Sequence, residues 1–147
     1  MITKEVIERA TTHRRHLHMY PEVSGEEVET TRFIRETLEK MGLSCWNLQS
    51  KTGVIAEIGN GDGPTLALRA DIDALPIVEQ TGLDYASKNE GAMHACGHDF
   101  HTASLLGAVQ VLKAQEDTLQ GKIRFIFQPA EESNRGARAL ISEGVLD

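Results

Sequence analysis

Apolar residues recur at three- and four-residue intervals over the first forty or so positions, then at alternate positions in short runs. Ile2, Val6, Ile7, Ala10, Arg14 and Leu17 share roughly one face, predicting a helix from Thr3 to about Met19 that Pro21 stops. Ser24-Gly-Glu-Glu27 fits a capping box ahead of a second helix carrying Val28, Thr31, Ile34, Leu38 and Met41, with Gly42 as its C-terminal cap. Leu43 to Leu48 is expected to be a strand. Val54–Ile58 and Thr65–Ala70 read as a hairpin around Asn60-Gly-Asp-Gly63. Residues 77–93 show no period and are expected to be a loop. Thr102 to Ala114 looks helical, with Asp99 placed as its N-cap. Lys122-Ile-Arg-Phe-Ile-Phe127 is β-branched and aromatic enough for a central strand. Arg135 to Gly144 is a last helix with Ala137, Leu140 and Ile141 turned inward. Strands interleaved with helices place the chain in the α/β class.

With 147 residues, 40% hydrophobic and 25% charged, the chain is sized and composed for one globular domain. A net charge of −7 argues against nucleic acid or an anionic membrane as partner. No signal-peptide core and no apolar run of membrane-spanning length is present, so a cytoplasmic location is expected. Two distant cysteines make no disulfide framework, and a usable thiol fits a reducing compartment. His13, His16 and His18, together with Arg14 and Arg15, read as the solvated basic end of the first helix.

The chemistry gathers in one place. His94-Ala-Cys96-Gly-His98-Asp99-Phe-His101 holds three of the six histidines and one of the two cysteines. Thiolate, imidazole and carboxylate are the side chains that bind zinc and its neighbours. Cys96 and His98 are two apart, and Gly97 lets the backbone between them turn tightly. A Cys-x-His pair alone does not define a metal site, so oxygen ligands must come from elsewhere. Asp71 and Asp73 follow one predicted strand, where α/β folds collect catalytic groups; the spacing also fits a solvated turn. Glu131 and Glu132 follow another, where adjacent carboxylates repel unless something positive separates them; an isolated Glu-Glu pair also fits a solvated loop, less well after so apolar a strand. Cys45, beside Trp46 in an apolar run, is expected in the core.

Four segments in order carry a resemblance. Arg14-Arg-His-Leu-His-Met-Tyr-Pro-Glu22, Leu68-Arg-Ala-Asp-Ile-Asp-Ala-Leu-Pro76, Met93-His-Ala-Cys-Gly-His-Asp-Phe-His-Thr-Ala103 and Phe127-Gln-Pro-Ala-Glu-Glu132 are similar to the N-acyl-amino-acid amidohydrolases. This branch of the aminoacylase/carboxypeptidase-like metallohydrolases includes hippurate hydrolases, auxin-conjugate hydrolases and N-acetyl-diaminopimelate deacetylases. The resemblance implies a zinc-exopeptidase-like catalytic domain, a mixed sheet flanked by helices. It implies Cys96, His98 and Glu132 as metal ligands and Glu131 as general base. Asp71 matches the carboxylate that orients a ligand, while Asp99 and His101 take supporting roles. Arg69 stands where related peptidases have a further His ligand.

Family members resemble chains more than twice as long. Residues 1–147 are therefore expected to form the N-terminal portion of the catalytic domain, incomplete at its C-terminal side. The lid and dimerisation domain and the remaining His ligands would fall outside it. The implied activity is hydrolysis of the amide bond of a small N-acyl amino acid, with two divalent ions (Mn or Zn) in the intact enzyme and one or none here. The open end of such an incomplete sheet would expose apolar surface, so self-association into a homo-oligomer is also expected. Two alternatives stand beside this reading: Cys96 as a nucleophile activated by His94 or His98, and a non-catalytic metal-binding or interaction domain.

Overall fold

β3 (Lys122–Gln128) is the middle strand of a three-stranded sheet in the computed structural model, which describes residues 2–60 and 62–147. β1 (Val54–Ile58) pairs with it antiparallel, Ala56 opposite Phe125, and β2 (Thr65–Asp71) pairs with it parallel, Leu68 opposite Phe125. The expected β1–β2 hairpin does not form, because β3 lies between them. Gly61, within the expected turn, is outside the described residues. The physical reason is burial. β3 is buried from Ile123 through Gln128, on both faces, which only the central position allows.

α2 (Val28–Lys40) and α3 (His98–Lys113) form the layer over one face, and α1 (Lys4–Met19) packs on α3. Ile34 and Leu38 of α2 and Leu105, Leu106 and Val109 of α3 meet Val54, Ala56, Ile58, Ile123, Phe125 and Phe127 in the main core. α4 (Gly136–Ser142) covers the other face, where Leu140 and Val145 meet Ile55 and Ile126. The architecture is the expected mixed sheet flanked by helices. α3 carries the chain from β2 over to β3, the crossover a parallel pair requires. Among the described residues no helix is long and apolar enough to cross a membrane.

Several local expectations are corrected. Leu43–Leu48 is no strand; a single bridge, Cys45 to Ala56, touches β1. Cys45 is half-buried against the main core, as its apolar run suggested. Ala137 and Ile141 of α4 face solvent, and Gly136 and Leu140 face the sheet. Asp99 is not the N-cap of α3: the helix starts at His98, Gly97 caps it in the left-handed region at φ 85°, and Asp99 is buried in the first turn. His18 is not solvated. It is 3% exposed, because buried carboxylates approach both of its ring nitrogens.

The capping box is also replaced. Ser24 turns away from α2, and the carboxylate of Glu22 accepts from the backbone N–H of Glu29 (3.1 Å) and Thr30 (2.7 Å). A carboxylate on the free amides of a helix start stabilises it through both hydrogen bonding and the helix dipole. Glu22→Ala is expected to lower stability by about 1 kcal/mol, measured as a lower denaturation midpoint with an unchanged slope in urea.

Candidate metal centre

Because β2 and β3 are parallel, their carboxyl ends lie side by side, with Asp71 opposite Gln128. The ladder runs one step further, Ile72 N–H donating to Gln128 O at 3.0 Å. Asp71 and Asp73 therefore leave one strand end next to the point where Glu131 and Glu132 leave the other. α3 begins against the same edge. Gly97, in the left-handed region, turns the backbone between exposed Cys96 and buried His98 so that both look toward the strand ends.

The ligand atoms of Cys96, His98 and Glu132 lie within 4.8 Å of one another. His98 is the hub. Its Nδ1 meets Asp73 O at 2.9 Å and Asp73 Oδ1 at 3.2 Å, which fixes the ring. Its Nε2 faces Asp71 Oδ1 (3.5 Å), Glu131 Oε2 and Glu132 Oε1 (both 3.8 Å). Burial disfavours charge on His98, but the Asp73 and Asp71 carboxylates outweigh it and push its pKa up to about 9. The field that favours a proton there favours a cation equally.

Asp73 is the residue that sequence reasoning left unassigned. It is 1% exposed, accepts from Ser24 Oγ (2.5 Å) and Glu132 N–H (3.0 Å), and holds His98. Burial works to raise its pKa; the hydrogen bonds from His98, Ser24 and the Glu132 and Glu131 backbone prevail and lower it to about 2. The Asp-x-Asp spacing was the only available signal; it treated the two alike, and the family resemblance singled out Asp71. Asp71 Oδ1 sits 2.7 Å from His101 Nδ1, nearer than to His98, and Asp71, His98 and His101 form a second convergent group.

The loop carrying the glutamates is held from beneath. Ala130 adopts φ 51°, uncommon for a residue with a side chain, directly before Glu131. Its N–H donates to Glu27 Oε1 (2.7 Å), a carboxylate that is fully buried. A side chain on Gly136 would put a carbon 1.5 Å from Pro129 O, so only glycine lets α4 close over this turn.

The donor set fits a divalent cation. It combines a thiol, an imidazole and carboxylates, and Glu132 Oε1 is buried without a hydrogen-bond partner. Unpartnered buried acceptors are costly unless something positive meets them. Cys96 is not set up as a nucleophile. No imidazole hydrogen-bonds its thiol among the described residues, and the adjoining Glu132 carboxylate pushes its pKa up. His94 is buried, makes no hydrogen bond through either ring nitrogen among the described residues, and is driven by burial to a pKa of about 4.

An α/β sheet with this cluster at the carboxyl ends of its parallel strands places a candidate metal centre where such folds collect their functional groups. Residues 67–147 match peptidase family M20/M25/M40, and the chain belongs to that family. It is 61% identical to N-acetyl-L-cysteine deacetylase of Bacillus subtilis over 91% of its length, covering 32% of that protein. It is 49% identical to IAA-amino acid hydrolase ILR1-like 5 of Arabidopsis thaliana, again over 91% of the chain and 31% of the relative. The crystal structure of the Bacillus subtilis YXEP protein, a dinuclear metal-binding peptidase of the M20 family, superposes with a TM-score of 0.96. There the identity is 53%, over 99% of this chain and 41% of that one. The chain spans less than half the length of each of these proteins.

Proposed function

We propose that the chain is the N-terminal, metal-holding portion of the catalytic domain of an amidohydrolase acting on small N-acyl amino acids. The observation that carries the proposal is the convergence of Cys96, His98 and Glu132 within 4.8 Å, beside Glu131. In this reading Cys96, His98 and Glu132 hold a divalent ion, zinc or manganese, within a centre of two ions in the whole enzyme. The dinuclear centre of the YXEP protein and the acyl-amino-acid substrates named for the other two relatives support it. The two free thiols fit a cytoplasmic location, and the exposed edge of β2 fits self-association into a homo-oligomer.

When bound, such an ion polarises an acyl carbonyl and lowers the pKa of an attacking water from ~15.7 toward ~7. The chain's own residues do the rest. Glu131 takes the proton of the attacking water and returns it to the departing amine, so that amide and water become a carboxylic acid and a free amino acid. Asp73 keeps His98 in one orientation and one tautomer. Asp71 does the same for His101, whose ring is half-exposed at the mouth of the cluster.

The test is hydrolysis of a panel of N-acetyl amino acids before and after treatment with a chelator. Activity is expected to vanish on chelation and return with zinc or manganese. Activity that survives chelation and disappears on thiol alkylation would instead establish the Cys96 nucleophile. A non-catalytic metal-binding role is the second reading. It is favoured by the ligand count: both convergent groups among the described residues draw on His98. One equivalent of bound metal with no hydrolysis would establish it.

A further inference from the structure

The segment Arg14–Glu22 contributes no atom to the ligand cluster, yet it touches the chain on both sides of the Cys96–His98 segment and just beyond Asp73. Arg14 Nε donates to Asp99 Oδ2 at 2.8 Å. His18 Nδ1 meets the same oxygen at 2.8 Å, and His18 Nε2 meets Glu79 Oε1 at 3.1 Å. Glu22 O accepts from Ala74 N–H at 2.8 Å, one residue beyond Asp73. These contacts join α1 to the end of β2, to the start of α3 and to the loop between them.

His18 occupies the joint. Its side chain is 4% exposed, that of Asp99 1% and that of Glu79 4%. Asp99 follows His98 directly, in a first helical turn that no side chain caps. That turn is tied to α1 through Asp99 on one side and to the end of β2 through His98 and His101 on the other. Glu79 in turn organises the loop that runs into Cys96, accepting from Ser87 N–H at 2.6 Å. The same loop is pinned to the end of α1 by Lys88 N–H on Met19 O (2.8 Å) and Asn89 Nδ2 on Pro21 O (2.9 Å). His18 thus grips both the chain that enters the Cys96–His98 segment and the helix that leaves it.

We propose that His18 is a positioning residue for the metal site: it bridges Glu79 and Asp99 and so sets the spacing of Cys96 and His98. The proposal rests on the reading of those two residues as ligands. Histidine suits the place because its two nitrogens diverge from a rigid ring, each toward a carboxylate on a different element. Glutamine reaches one of the two. Phenylalanine fills the volume but breaks the bridge, leaving Asp99 held by Arg14 and Glu79 by the Ser87 N–H, each on its own side.

The experiment titrates the purified protein with Co²⁺ alone, following the thiolate-to-cobalt absorption in the near ultraviolet alongside thermal melting. His18→Phe and His18→Gln are expected to weaken Co²⁺ binding by about tenfold or more, with a reduced thiolate band, as loss of ligand-orienting partners does. Leu140→Ala, on the opposite face of the sheet, is expected to melt earlier yet bind Co²⁺ within about twofold of the parent protein. Should His18→Phe fail to fold, His18→Gln and Glu79→Gln carry the test. If both bind Co²⁺ as the parent does, with the same spectrum, the positioning role is overturned while the metal site stands. If His98→Ala keeps full binding and the thiolate band, the ligand reading itself is overturned.

Discussion

Glu131→Gln is expected to lower hydrolysis of an N-acetyl amino acid by about 10²–10⁴-fold, the usual contribution of a positioned general base. That corresponds to roughly 3–5 kcal/mol of the activation barrier. Metal content, measured on the same preparation, should not change. The reasoning is geometric. Glu131 Oε2 is 3.8 Å from His98 Nε2, close enough to serve whatever the cluster holds. Its side chain remains 37% exposed, open to water and substrate, while Glu132 turns inward at 24% and leaves Oε1 buried. Glutamine keeps the size and the hydrogen-bonding carbonyl but has no lone pair basic enough to take the proton. Full turnover in the variant would remove Glu131 from the chemistry. Loss of metal along with activity would make it a ligand.

Phe125→Ala carries the largest expected effect on stability. Phe125 is fully buried at the centre of β3, between Ala56 and Leu68 on the flanking strands and beneath the α2–α3 layer. Deleting a buried phenylalanine ring typically destabilises by about 3–5 kcal/mol, part lost transfer energy and part cavity. Domains of this kind are stable by only about 5–15 kcal/mol. The variant should therefore unfold at a much lower denaturant concentration or fail to accumulate. A loss below about 1 kcal/mol would mean that this layer is not packed as described.

Cys96 and His98 stood out by residue type, because thiol and imidazole declare their chemistry, whereas the choice of Glu132 over Glu131 as their partner came from the family resemblance. The predicted β3 supplied the strand end that brings the three within reach of one another. The supporting residues were not legible for the same reason in reverse. Asp73 and Asp71 have the same residue type two positions apart, and nothing in their spacing says which one is sealed under His98. His18 carries the same letter as solvated His residues at a helix end. Its burial depends on Glu79 and Asp99, 61 and 81 positions away. The hairpin reading failed because turn chemistry between β1 and β2 is local information, whereas the partner that outbids it, β3, lies far downstream.

The same strand order bears on how the molecule comes into being. β1 and β2 meet only through β3, so nothing before Lys122 can zip the sheet. As the polypeptide leaves the ribosome, α1, α2 and α3 can coil locally while two apolar strands wait unpaired. The sheet then closes in one late event, over sequence separations of roughly sixty to seventy residues, with the entropy of both long loops lost at once. The nascent chain spends that interval with the backbone edges of β1 and β2 unpaired, the exposure that favours aggregation over folding.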